Sequence, residues 1–159
     1  MDRVAVALGS NCGDRRAHLD YAVSTLRALL TNLTVSRYYD TIPEGVSGPQ
    51  ALFLNAAVVG DTTMSARALL DALLTIEHER GRERPYPNAP RTLDLDVILF
   101  GDAIVEEPGL KVPHPRFRER RFVLQPLAEV APRWRDPVSG ATMRQLLARL
   151  TAPRPIFWA

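Results

Sequence analysis

Asp94 and Asp96 stand two residues apart inside the segment Leu93-Asp94-Leu95-Asp96-Val97-Ile98-Leu99-Phe100, which stops at Gly101. Leu95, Val97, Ile98, Leu99 and Phe100 predict a strand running through a core. Alternate side chains of a strand share a face, so the two carboxylates point the same way, with Cβ atoms about 6.5–7 Å apart. That spacing can grip one hard cation, or share two when phosphate oxygens complete the coordination. Leu93, Leu95, Val97 and Leu99 then fall on the opposite face, toward the core. Carboxylates half inside a sheet are costly unless compensated. Three compensations stay open on this pattern alone: a metal, neighbouring arginines such as Arg91, or a wet sheet face.

Cationic groups are the next chemistry-bearing set. There are 20 basic and 18 acidic residues, for a net charge of +2, and Lys111 is the sole lysine. Arginine offers a planar fork of donors suited to phosphate oxygens. The arginines cluster at 80–91 and 116–121. Any one of them reads plainly as solvated surface. Two clusters together fit a small polyphosphate better than duplex DNA, because the remaining surface is not basic. Phe53, Asn55 and Ala57 share one face of another predicted strand. An asparagine among apolar neighbours needs hydrogen-bond partners, either backbone or a flat heterocycle on which Phe53 could stack. His114, between Pro113 and Pro115, is rigidly placed and on its own reads as a surface or structural residue. Cys12, the single cysteine, reads as a bystander and excludes an intramolecular disulfide, which fits a cytoplasmic protein.

The elements that must position these groups follow from periodicity. Val4 to Leu8 predict a first strand, ended by Gly9. Gly9-Ser10-Asn11-Cys12-Gly13-Asp14 reads as a tight strand-to-helix turn, with Asn11 or Asp14 as the cap. Leu19, Ala22, Val23, Leu26, Leu29 and Leu30 recur at helical spacing, giving a helix over about 15–30. A second strand is expected over 33–40, a Pro- and Gly-containing loop over 41–52, and a third strand over 53–61. Ser65 caps a second helix whose buried side is Leu69, Leu73 and Ile76, with Leu70 and Leu74, and Gly81 stops it. Residues 82–91 form a second long loop with three prolines, leading into the Asp94/Asp96 strand. Residues 101–113 suggest a hairpin or loop, 122–130 a short helix and 142–150 a last one; the tail after 152 carries no signal. The strand–helix–strand–strand–helix–strand order predicts an α+β fold, a ferredoxin-like βαββαβ core with both helices on one sheet face and the other open, plus a C-terminal helical extension. A length of 159 residues and a hydrophobic share of 46% suit one domain, 1–159, with a real core. No apolar run approaches the ~20 residues that cross a bilayer, and the N-terminus reads as a strand, not a signal peptide.

Seven segments now stand in order: Gly9-Ser10-Asn11, Phe53-Leu54-Asn55-Ala56-Ala57, Ile76-Glu77, Gly81-Arg82, Pro90-Arg91-Thr92-Leu93-Asp94-Leu95-Asp96, Val112-Pro113-His114-Pro115, and the stretch from Phe122 to Pro132. Between about residues 4 and 150 the chain closely resembles the 6-hydroxymethyl-7,8-dihydropterin pyrophosphokinase family, whose most specific signature is Pro-Arg-x-x-Asp-Leu-Asp. The resemblance implies transfer of a diphosphate from ATP to the pterin hydroxymethyl oxygen in folate biosynthesis, with release of AMP. It implies two Mg2+ ions on Asp94 and Asp96, with Arg82 and Arg91 beside them in catalysis. Thr41 and Asn55 match pterin-bonding positions, and Phe53 and Phe122 the stacking walls. Arg82, Arg91, His114 and Arg120 match phosphate-contacting positions, where the arginines and His114 would neutralise the departing AMP; Arg84 and Arg118 would assist. Glu77 matches an acidic residue at the edge of the nucleotide pocket. Closure of 41–52 and 82–91 would exclude water. The family pattern is broken at Asn88, where some members carry a tryptophan two residues before the Pro-Arg, at Leu74 in place of glutamine, and at Pro115 in place of tyrosine. The expected partners are small molecules only, with no nucleic acid and no membrane, and the expected state is a monomer. Two rivals remain: a different Asp-x-Asp metal-dependent nucleotidyltransferase, which would release pyrophosphate, and a non-catalytic ferredoxin-like module binding RNA or a regulatory ligand. RNA binding needs exposed aromatics on central strands, and Val4-Ala5-Val6-Ala7-Leu8 has none.

Overall fold

The computed structural model describes residues 1–42, 52–81 and 92–150, together with the backbone of 156–158. The strands are β1 (Asp2–Ser10), β2 (Thr31–Val35), β3 (Tyr39–Thr41), β4 (Phe53–Thr62), β5 (Asp94–Phe100), β6 (Val105–Glu107), β7 (Leu110–Val112) and β8 (Ile156–Trp158). The helices are α1 (Arg15–Leu29), α2 (Ala66–Glu79), α3 (Arg121–Val130) and α4 (Met143–Ala148). The main sheet runs β5-β1-β4-β3-β8, with β2 also paired to β4, and β6 and β7 form a separate hairpin. As a split βαβ pair, this is the expected ferredoxin-like arrangement, with β1 antiparallel to both β4 and β5.

Alternation explains the packing. Val4, Val6, Leu8, Leu54, Ala56, Val58, Leu95 and Val97 face Leu19, Ala22 and Leu26 of α1 and Leu69, Leu73 and Ile76 of α2. Each fully buried leucine there contributes roughly 2 kcal/mol. Leu29 and Leu74, placed with those helix faces on periodicity, stay 39% and 44% exposed. Of the two candidate caps, Asp14 takes the role: its carboxylate accepts from the Ala17 N–H at 3.1 Å. Ser65 caps α2 through the Ala68 N–H, and Gly81, at φ +75°, turns the chain out of it.

Four features depart from expectation. The predicted second strand is split into β2 and β3, because the chain leaves the ladder at Ser36. There the Ser36 hydroxyl, at 2.9 Å, accepts from the Ala57 N–H in place of a backbone carbonyl. The second sheet face is open only at one end: α3 and α4 seal the remainder, with Phe117, Val123, Leu124, Leu127 and Met143 against Ala5, Ala57, Val59, Ile98 and Leu99. Leu99 belongs to that side, not to the helix face where strict alternation puts it. A β-bulge pairs Ala5 with Leu99 but Val6 with Val97, so Ile98 is the extra residue and the phase reverses beyond it. Finally, the tail contributes β8, which pairs with β3 and covers its edge.

Candidate active site

The open end of the second face is where the chemistry-bearing side chains converge. Gly9 pairs with Asn55 on one side and with Asp94 on the other. Asp94, Gly9 and Asn55 therefore form one row across β5, β1 and β4, and directly paired residues share a face. Two strand spacings separate the ends of the row, about 10 Å. Asp96, Ala7 and Ala57 make the next row. A carboxylate pair and a buried amide thus face the same way across a floor of Gly9 and Ala7.

The amide end is built from β3 and β4. Thr41 and Asn55 are only 4% and 5% exposed, and the Thr41 hydroxyl donates to Asn55 Oδ1. That bond fixes the amide rotamer and leaves the Asn55 NH2 group toward Gly9, where a Cβ on residue 9 would lie 3.0 Å from Nδ2 and 3.7 Å from Phe53 Cδ1. Phe53, half-buried, pairs with Thr41. Phe122, at the start of α3, packs against the apolar cluster of the sealed half, as Ala7 does. Three of the four residues expected to hold a flat heterocycle, Thr41, Phe53 and Asn55, therefore lie at one end of one sheet face. Gly9 is the member that sequence reasoning missed. Its signal was a glycine at the end of a strand flanked by partners on both sides, which marks a close approach.

At the carboxylate end, Asp94 and Asp96 are half-buried. Among the described residues, no group of three or more His, Cys, Asp or Glu is placed to hold a metal. Two carboxylates without a third protein ligand in that set suit a hard ion that keeps waters and takes substrate phosphate oxygens. Glu77, expected at the edge of a nucleotide pocket, is 2% exposed. Its Oε2 accepts from the Leu95 N–H at 2.7 Å, so it anchors β5 between the two aspartates.

His114 is tied to the same strand, its N–H donating to the carbonyl of the bulged Ile98 at 3.0 Å. Burial, then Arg120 and Arg116, push its pKa down to about 4, against a smaller upward pull from Asp94. The ring is neutral at pH 7. Its Nδ1 accepts from the Arg116 N–H at 3.2 Å, so the proton resides on Nε2. His114 therefore presents a neutral Nε2–H donor beside the β5 strand. Beside it, Leu70, Asp96, Val97, Gly109, Leu110 and Lys111 line a cleft of about 280 Å³.

Arg118 and Arg120, both in the second cluster, part company. The Arg120 guanidinium lies 5.6 Å from the Phe122 ring centroid, within range of the site. Arg118 instead grips Asp136 with its fork, placing Nη2 at 2.7 Å from Oδ1. Asp136 is fully buried and also accepts from the Ser139 hydroxyl and the Val138 N–H. The assistance to phosphate expected of Arg118 is thus spent inside the fold. Arg82, Arg84 and Arg91, with Asn88 and most of the two expected lids, lie outside the described residues.

The chain is similar to known proteins in family pattern, in sequence and in fold. The family model of 7,8-dihydro-6-hydroxymethylpterin-pyrophosphokinase matches residues 5–132. A 2-amino-4-hydroxy-6-hydroxymethyldihydropteridine pyrophosphokinase of Synechocystis sp. is 41% identical over 154 residues, covering 95% of this chain and 78% of that protein. The enzyme of the same name from Bacillus subtilis is 47% identical over 133 residues, covering 82% and 79%. Among solved structures, Plasmodium falciparum HPPK-DHPS superposes with a TM-score of 0.74 at 15% identity, over 93% of this chain and 44% of that longer one; that likeness is one of fold. The chain belongs to the 7,8-dihydro-6-hydroxymethylpterin-pyrophosphokinase family.

Proposed function

We propose that the open end of the sheet is the place where this chain carries out its family's reaction, transfer of a diphosphate from ATP to the hydroxymethyl oxygen of 6-hydroxymethyl-7,8-dihydropterin in folate biosynthesis. The bond formed joins that oxygen to the β-phosphorus; the bond broken joins the β-phosphorus to the oxygen bridging it to the α-phosphate, which leaves with AMP. The observation that carries the reading is the Asp94–Gly9–Asn55 row. Asn55 and Thr41 present a fixed polar edge to the pterin, and Phe53 and Phe122 stack on it. Gly9 has no side chain, so a flat ring can lie close to the strand.

Asp94 and Asp96 hold two Mg2+ ions, which supply charge stabilisation to the polyphosphate. The residues of this chain do the positioning. The apolar walls Leu70, Val97 and Leu110 take the nucleotide's base in the cleft next to Asp96. His114 donates Nε2–H to a phosphate oxygen, and Arg120, Arg82, Arg84 and Arg91 supply the positive charge. About 10 Å between the amide and the carboxylates leaves room for the hydroxymethyl group to meet the β-phosphate in line. Glu77 contributes by position, through the Leu95 N–H. The reaction is assigned to one domain, 1–159, acting as a cytoplasmic monomer; among the described residues no helix is long and apolar enough to cross a membrane.

On β1 the RNA-binding alternative meets Ala5, Ala7 and Gly9 rather than stacking aromatics. Incubation with ATP, magnesium and the hydroxymethyl-dihydropterin tests the assignment: stoichiometric AMP and pterin diphosphate are expected. Pyrophosphate in place of AMP makes the chain a nucleotidyltransferase; neither product removes the catalytic reading.

A further inference from the structure

We infer that Arg15, a residue outside every motif considered above, is a positioning residue for the pterin end of the site, a role that rests on the assignment of that site to the pterin. Arg15 opens α1, where the positive end of the helix dipole disfavours a cation, so its placement answers to its partners rather than to the helix. Its Nη1 donates to Asp40 Oδ1 at 2.6 Å and to the Leu52 carbonyl at 2.9 Å. Asp40 lies between Tyr39 and Thr41 in β3, and Leu52 directly precedes Phe53 of β4. One nitrogen therefore joins the two strands at the end of their ladder.

That end needs such a tie. β3 is three residues long and meets β4 at only three paired positions, Tyr39–Asn55, Asp40–Leu54 and Thr41–Phe53. Short ladders set register weakly, and the Thr41–Asn55 bond depends on register, because it runs diagonally from one pair to the next. By alternation, Asp40 projects toward α1 while Thr41 and Phe53 project toward the site. Arg15 grips the back of the strand pair whose front holds Thr41, Phe53 and Asn55. The pair is part-exposed, 31% for Arg15 and 21% for Asp40, so its weight in global stability is small. Its effect falls on local geometry, where displacement of a binding group by an ångström is expensive.

The test uses the whole chain with magnesium and a non-hydrolysable ATP analogue, titrating 6-hydroxymethyl-7,8-dihydropterin by calorimetry. Arg15→Met keeps the aliphatic stem and removes the donors. Its pterin Kd should rise about tenfold, while the Kd of the ATP analogue and the melting temperature stay close to wild type. Arg15→Lys should recover most of the affinity, because both bonds leave a single nitrogen that an ammonium can replace. An unchanged pterin Kd in Arg15→Met overturns the inference. So does parallel loss of nucleotide affinity, which would mark general damage, and so does a lysine variant as weak as the methionine one. Wild-type protein that takes no pterin brings down the site assignment itself; wild-type binding matched by Arg15→Met brings down only the role of Arg15.

Discussion

The second face of the sheet is built in two ways along the same three strands. Toward Ala5, Val59 and Leu99 it is sealed by α3 and α4 through apolar contacts. A few residues farther along those strands, the inward positions become Gly9, Asn55 and Asp94, and the burial is that of polar groups with assigned partners. On the other face both stretches rest on one continuous core beneath α1 and α2. The difference teaches a division of labour. The sealed half holds three strands in register, and that register aligns the polar half, whose side chains contribute little packing of their own. Substitutions in the two halves should therefore separate cleanly into losses of stability and losses of chemistry.

The largest effect expected is in the open half. Asp94→Ala or Asp96→Ala should lower AMP release by about 10³-fold or more, equivalent to about 4 kcal/mol of barrier. Their melting temperatures should barely move, because neither carboxylate belongs to an apolar cluster. Full turnover in either variant would remove the metal assignment, and a collapsed melt would break the division itself. The mirror experiment lies in the sealed half. Phe117 is fully buried, and Phe117→Ala should cost about 3–5 kcal/mol of stability. Below its lowered melting point the variant should keep wild-type pterin affinity; a loss in proportion to stability would show that the halves are one unit.

Much of this arrangement is legible in the residues because periodicity is a local signal. The alternation in β1 and β4, the stripe Leu69-Leu73-Ile76 and the cap at Ser65 each require only a few neighbours to be read. The exceptions need information from elsewhere in the chain. Ser36 breaks a strand because its hydroxyl finds the N–H of Ala57, 21 positions away. Leu99 changes face because Ile98 is bulged against β1, and a bulge leaves alternating residues looking alternate. Arg118 and Arg120 are indistinguishable in sequence. Which of them is spent depends on a buried carboxylate at position 136. The low pKa of His114 is equally invisible in sequence, since it follows from burial and from two guanidinium neighbours. Glu77 can be placed near the site by resemblance, but only its contact with Leu95 shows that it grips the strand from beneath.

Acidity probes the sealed half again, at smaller magnitude. Burial by itself would raise the pKa of Asp136, but the hydrogen bonds from Arg118, Ser139 and Val138 outweigh it and bring it down from 3.8 to about 2. A carboxylate with a depressed folded-state pKa contributes stability that is fully present above its unfolded value and is lost as pH falls through the folded one. Roughly 2 kcal/mol should disappear between about pH 4 and pH 2. Denaturant melts over that window should show the slope in the wild type and a flatter one in Asp136→Asn. Equal slopes would mean that other carboxylates govern the acid limb.

The smallest expected effect is also the closest comparison, since it sets two positions of one strand and one face against each other. Ala5 is fully buried in the sealed half, where its methyl group fills space beneath α3. Position 9 is a glycine, and a methyl there would stand 3.0 Å from Asn55 Nδ2. To admit it, the amide must turn, and turning strains the bond from Thr41 that fixes its orientation. Gly9→Ala should therefore raise the pterin Kd about tenfold, or about 1.4 kcal/mol, with nucleotide affinity unchanged. Its melting temperature should stay near the wild-type value, because alanine is no worse than glycine in an extended strand. Unaltered pterin affinity in that variant would mean that the ring does not lie over β1, and the row from Asp94 to Asn55 would lose its meaning as a substrate track.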